Sequence, residues 1–209
     1  MTTTYYYAQT FDKDPVTDLP LATSLQNLFS DPNLTQRDSI VVYLSSLHIG
    51  TEPDTGQPYL HLNDVNVNML DAFMRDVQHQ SSFAVCDVEI RVMLGGAGGA
   101  YTALFYDYDK RYAILHDFLK MYPFVRGIDL DVEESLAEDS HVALTKIQKL
   151  ITQLHTEFVR GGSTTPFSIS MAPVAYALTD TSVGMGGFSY KELLQSPQGN
   201  YISQWNVQA

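Results

Sequence analysis

Apolar residues recur along this chain in two rhythms. Six short runs rich in Val, Ile, Leu, Tyr, Phe and Met, over residues 5–9, 39–47, 89–94, 127–132, 167–171 and 202–208, read as strands. Pro166 stands just before the fifth, where it removes no ladder hydrogen bond. Between the runs the apolar spacing lengthens to that of a helix. Leu70, Phe73, Met74 and Val77 form one stripe, Leu115, Phe118, Leu119 and Tyr122 a second, and Leu144, Ile147, Ile151 and Leu154 a third. Gly161-Gly162 behind Arg160 reads as the stop of the third helix. A further helix is predicted over 21–29, bounded by Pro20 and Asp31-Pro32, and Leu193-Leu194 predicts a short one before Pro197.

Strands alternating with helices are the signature of βα units and a parallel sheet. No internal repeat or linker-like stretch interrupts them, so residues 1–209 read as a single domain. A closed eight-stranded βα barrel typically takes about 250 residues. Six strands leave such a barrel unclosed, and exposed strand edges predict self-association.

The fourth run breaks the apolar rule. In Phe124-Val-Arg-Gly-Ile-Asp-Leu-Asp-Val-Glu-Glu134, the acids Asp129, Asp131 and Glu133 are two residues apart. Successive strand side chains point to opposite faces, so the three acids share one face while Ile128, Leu130 and Val132 share the other. Adjacent carboxylates repel and resist desolvation, so a shared proton and a functional site are the natural reading.

Composition narrows the partners. A net charge of −12 and a hydrophobic fraction of 44% describe a globular chain too short of Lys and Arg for nucleic acid or an anionic membrane. No run approaches the roughly 20 apolar residues of a membrane span. The N-terminus has neither a basic nor a continuous apolar signal region, so the reading is cytoplasmic or non-classically secreted. Cys86 is the only cysteine, and His48, His61, His79, His116, His141 and His155 show no metal-ligand spacing, so no metal is expected. The run Gly95-Gly-Ala-Gly-Gly99 lacks the Lys-Ser/Thr of a phosphate loop and reads as a turn or a site of tight backbone packing.

The acidic strand resembles the Asp-x-x-Asp-x-Asp-x-Glu signature of family 18 glycoside hydrolases, the chitinases and endo-β-N-acetylglucosaminidases. Here it reads Arg126-Gly-Ile-Asp129-Leu-Asp131-Val-Glu133, with Arg126 in place of the first acid and Val132 in place of a frequent Trp. Val92 to Tyr101 is similar to the family's third strand and its Gly-rich end, Met171-Ala-Pro173 to the end of the fifth, and Asn206-Val-Gln208 to the start of the sixth.

The resemblance implies an α/β fold of the (β/α)8 TIM-barrel type, present as about six βα units and incomplete at the C-terminal side. It implies cleavage of β-1,4-linked N-acetylglucosamine, in chitin or chito-oligosaccharide, by substrate-assisted retaining hydrolysis without cofactor. Glu133 would protonate the glycosidic oxygen, Asp131 would orient the N-acetyl group and stabilise the oxazolinium ion, and Asp129 would share a proton with Asp131. Met171, Gln208, Tyr101 and Tyr176, at or just past strand ends, would contact the sugar. Arg126 is either an ion-pair partner of the acids, where it would disturb the shared proton, or a solvent-facing residue at the strand's start. Carbohydrate binding without turnover, or an inactive piece of a longer glycosidase, are the alternative readings. The tyrosine that follows Gln-x in the family's sixth strand lies beyond Ala209.

Overall fold

The computed structural model describes residues 2–9, 11–13, 20–21, 23–63, 65–160, 166–179 and 182–208. Its strands are β1 (Thr3–Ala8), β2 (Asp12–Lys13), β3 (Pro20–Leu21), β4 (Ser39–Thr51), β5 (Pro58–Leu62), β6 (Asp87–Gly95), β7 (Val125–Asp131), β8 (Ser168–Met171) and β9 (Gln204–Trp205). Its α-helices are α1 (Thr23–Phe29), α2 (Leu70–Ser81), α3 (Ala100–Tyr106), α4 (Tyr108–Met121), α5 (Ser140–Leu154) and α6 (Tyr190–Gln195). The chain divides into two compact units, Met1–Val92 with Ile114–Val125, and Met93–Ala113 with Arg126–Ala209.

In the first unit β1 runs parallel to β4, in register from Thr3 opposite Ser39 to Ala8 opposite Leu44. Strand β4 runs past residue 47, where its apolar run was expected to end. Its last five residues, Leu47 to Thr51, pair antiparallel with β5, which satisfies their backbone groups. That hairpin was not foreseen, because its second strand is only five residues long and opens on Pro58. Helix α2 buries Phe73, Met74 and Val77 of its predicted stripe and leaves Leu70 half-buried.

The second unit holds the end of β6, which neighbours β7, then β8 and β9. Strand β8 is parallel to both of its neighbours, with Asp129 level with Ser170 and Ser170 level with Gln204. Only Gln204 and Trp205 of the predicted last run form regular ladder. The pairing nevertheless continues, through the amide of Asn206 to the Met171 carbonyl (2.7 Å) and that of Gln208 to the Pro173 carbonyl (2.9 Å). Helix α5 starts where Asp139 accepts hydrogen bonds from the amides of His141 and Val142, and it buries Ile147, Ile151 and Leu154. A π-helical turn, His155–Val159, continues it, and the predicted Gly161-Gly162 stop lies outside the described residues. This arrangement is a parallel half-barrel sheet with helices, the TIM-barrel type that the acidic strand implied.

Candidate active site

The pleat of β7 places Asp129 and Asp131 on one face, as the alternation requires, and Glu133 follows just past the strand's end. Asp129 is fully buried and Asp131 is 5% exposed, with Ile128 and Leu130 buried on the opposite face. A buried carboxylate needs donors. Asp129 Oδ1 accepts from Ser170 Oγ at 2.5 Å and from Asn206 Nδ2 at 3.1 Å. Asp131 Oδ1 accepts from Gln208 Nε2 at 2.8 Å, and that nitrogen also donates to the Ala172 carbonyl at 2.8 Å. Both partners of the Gln208 nitrogen are acceptors, which fixes the amide's orientation and leaves its oxygen free as an acceptor.

Electrostatics single out Asp131. Burial, then the charges of Glu133 and Asp129, push its carboxyl from 3.8 up to about 7, against the opposing pull of the Gln208 hydrogen bond. Glu133 hydrogen-bonds to Asp131 and is half-buried just past the strand. The Asp131 carboxyl therefore keeps its proton to higher pH than an ordinary carboxyl does.

The end of β6 is built around the same residues. Gly95 has φ +108°, and a Cβ there would lie 2.1 Å from the Asp131 carbonyl oxygen, so only glycine permits this approach. The amide of Gly96 donates to that same oxygen at 2.9 Å. Beyond the glycines, Glu134 caps α3: its carboxylate accepts from the amides of Tyr101 (2.6 Å) and Thr102 (3.1 Å) and from the Thr102 hydroxyl. The residue that follows Glu133 thus holds the helix that follows the glycine turn.

A narrow indentation too tight for a water molecule lies beside the acids, lined by Asp131, Val132, Glu133, Ala172, Pro173, Val174, Met185, Tyr190 and Gln208. Among the described residues no group of three or more His, Cys, Asp or Glu is placed to hold a metal ion.

The sequence-derived sugar contacts divide. Gln208 lines the indentation and touches Asp131. Tyr176, in the 3₁₀ turn Ala175–Leu178, is 57% exposed and lies outside that lining. Tyr101 is fully buried with its hydroxyl donating to the Leu94 carbonyl at 2.7 Å, so it braces the end of β6 and presents no face to a ligand. Met171 is fully buried and level with Leu130, hence on the face opposite the acids. Its backbone carbonyl, not its side chain, serves the site by anchoring Asn206. Of the two readings of Arg126, the ion pair with the acids is not seen among the described residues, because Arg126 shares the face of Ile128 and Leu130, and its Nε is buried rather than facing solvent. Trp205 turns away from Gln208 and meets the edge of Tyr190, with ring centroids 6.2 Å apart.

Ser170, Asn206, Glu134 and Tyr190 are site residues that the sequence did not single out. For Ser170 a signal existed, since Ser168-Ile-Ser-Met171 alternates small polar with apolar residues and puts a hydroxyl on the face of the acids.

Neither the protein-family models nor the curated protein sequences contain a match to this chain. Solved structures do match. A fungal endo-β-N-acetylglucosaminidase of glycosyl hydrolase family 18 aligns at 26% identity over 98% of this chain and 66% of its own, with a TM-score of 0.69. A GH18 chitinase from Pseudoalteromonas aurantia aligns at 21% identity over 99% of this chain and 66% of its own, with a TM-score of 0.52. A GH18 chitinase from Cycas revoluta, solved in complex with (GlcNAc)4, aligns at 12% identity over 100% of this chain and 54% of its own, with a TM-score of 0.56. The chain therefore spans 66% of the length of the first two and 54% of the third. Over the part that it spans, the chain has the chitinase-like glycosidase fold, and its structural relatives are the family 18 glycoside hydrolases, chitinases and endo-β-N-acetylglucosaminidases.

Proposed function

We propose that the protein hydrolyses β-1,4-linked N-acetylglucosamine, in chitin or chito-oligosaccharide, by substrate-assisted catalysis with retention at the anomeric carbon. The observation that carries this reading is the acidic row, with Asp131 held near neutral between Asp129 and Glu133. The (GlcNAc)4 complex of the Cycas revoluta chitinase supports the same ligand class.

In this reading the acetamido group of the sugar lies beside Asp131. Asp131 accepts its N–H, which points the carbonyl oxygen at the anomeric carbon, and the carboxylate then balances the positive oxazolinium ion. Glu133 is the general acid that gives its proton to the departing glycosidic oxygen and afterwards deprotonates the water that opens the ring. Asp129 takes up the proton that Asp131 releases on binding substrate, and Ser170 and Asn206 hold Asp129 in place for that exchange. Gln208 fixes the rotamer of Asp131 and offers its free oxygen to a sugar hydroxyl.

The test is product release from chitotetraose by the protein and by Glu133→Gln. The variant is expected to lose at least about a hundredfold in kcat, the usual worth of a general acid. Hydrolysis by Glu133→Gln at the parent's rate contradicts the mechanism. A second reading, suggested by Arg126 in place of the first acid of the motif, is carbohydrate binding without turnover, for which calorimetry shows chitotetraose binding while no product forms.

A further inference from the structure

Strand β7 ends at Asp131, so Glu133 stands beyond the ladder that fixes the other two acids. Among the described residues, the backbone of Val132, Glu133 and Glu134 makes no hydrogen bond to another backbone group. The segment is held at three points instead. At its start the Asp131 carbonyl accepts from the Gly96 amide at 2.9 Å, and at its end the Leu136 amide donates to the Gly186 carbonyl at 2.9 Å. Between them the Glu134 carboxylate reaches across to α3. Its Oε1 accepts from the Tyr101 amide at 2.6 Å, and its Oε2 from the Thr102 amide at 3.1 Å and the Thr102 hydroxyl at 2.5 Å. Two oxygens gripped by three donors leave the side chain one orientation.

The far end of this contact is itself fixed. Tyr101 is fully buried, and its hydroxyl donates to the Leu94 carbonyl at 2.7 Å, which ties the start of α3 to β6. A polar side chain at position 99 could cap α3 without touching the acidic segment. That position is a glycine at φ +77° with no side-chain hydrogen bond, and the cap comes from the neighbour of Glu133. Glu133 thus lies between two anchors, the Asp131 carbonyl and the Glu134 carboxylate, and its own side chain hydrogen-bonds to Asp131.

We propose that Glu134 is a positioning residue for Glu133: its carboxylate ties the end of the acidic segment to α3 and so holds the Glu133 carboxyl against Asp131. The inference rests on the glycosidase reading, in which Glu133 transfers the proton, and extends it to a residue that acts only through its neighbour. Misplacing a reacting group by about 1 Å can cost about a hundredfold in rate, which gives a tether on the adjacent residue its leverage.

Glu134→Gln and Glu134→Ala are compared with the wild type by chitotetraose hydrolysis, by melting temperature and by carbon NMR titration of the Asp131 carboxyl. Gln keeps the length and one acceptor oxygen but turns an amide N–H toward a donor, whereas Ala removes the tether. We expect kcat to fall about tenfold in the first and about a hundredfold in the second, with KM unchanged. The charge and hydrogen bond of Glu133 help to hold the Asp131 carboxyl high, so its midpoint should drop below the wild-type value of about 7 as Glu133 moves away. Loss of a helix cap alone lowers the melting temperature and moves neither quantity. Wild-type kcat, or an unchanged Asp131 midpoint, in both variants overturns the assignment. Should Glu134→Ala not fold, Glu134→Gln and Thr102→Val, which removes one donor from exposed Thr102, decide by the same criteria. Absence of hydrolysis by the wild type overturns the glycosidase reading, and the Asp131 midpoint then still decides whether Glu134 holds Glu133 in place.

Discussion

Replacing Asp131 with Asn removes a charge that the fold disfavours while keeping the shape and the acceptor that Gln208 uses. Holding this carboxyl at about 7 rather than 3.8 corresponds to about 4 kcal/mol of unfavourable free energy for ionising it in the folded state. Solvent at the end of the strand screens part of this, so about 2 kcal/mol is the working figure. The sign follows from proton uptake. A carboxyl raised in the fold keeps its proton while the unfolded chain releases it, so the wild-type protein loses stability as pH climbs from about 4 to about 7 and changes little above that. Asn does not titrate. Asp131→Asn is therefore expected to match the wild type near pH 4 and to melt about 4–8 °C higher at pH 8, at about 2–4 °C per kcal/mol for a chain of this size. It also abolishes hydrolysis. Thermal scans of both proteins at half-unit steps from pH 4 to pH 8 provide the assay. A melting difference that is independent of pH, or a variant less stable than the wild type at pH 8, refutes the placement of the proton on Asp131.

Four further outcomes follow from the same geometry. Ser170→Ala leaves buried Asp129 short of a donor and is expected to destabilise by about 1–3 kcal/mol in urea titration. Gly95→Ala forces a Cβ to within 2.1 Å of the Asp131 carbonyl and should displace the acids, seen as a loss of several degrees in melting temperature together with loss of sugar binding. Glu134→Ala strips the cap from α3 and is expected to cost about 1 kcal/mol, read as faster amide exchange at Tyr101 and Thr102. Gln208→Ala removes the hydrogen bond that lowers the Asp131 carboxyl, so its titration midpoint by carbon NMR should rise above the wild-type value of about 7.

The acidic face was legible in the sequence because a strand's period of two is rigid. Once 127–132 is a strand, Asp129 and Asp131 must share a side, opposite Ile128 and Leu130. Helix α5 was legible for a local reason as well, since Leu144, Ile147, Ile151 and Leu154 keep the helical spacing. What escaped depends on distant partners. Helix α3 carries no Ser, Thr or Asp at its start; its cap is Glu134, 33 residues further on. Strand β5 exists through its pairing with the end of β4, not through its own composition. Tyr101 and Met171 were expected to contact sugar because they stand at or past strand ends. For Tyr101 the Leu94 carbonyl captures the hydroxyl, and for Met171 the register with Leu130 turns the side chain away. Tyr190 escaped because its position over the acids is created by a loop whose path no local pattern encodes.

The central claim is that the acidic row drives a retaining, acetamido-assisted cleavage. Proton NMR of the reducing-end anomers, recorded in the first minutes after mixing the protein with chitotetraose, tests it most directly. Retention predicts that the β-anomer appears first and relaxes to the equilibrium mixture, with no product from Glu133→Gln. Initial formation of the α-anomer, or unchanged product formation by Glu133→Gln, contradicts the account.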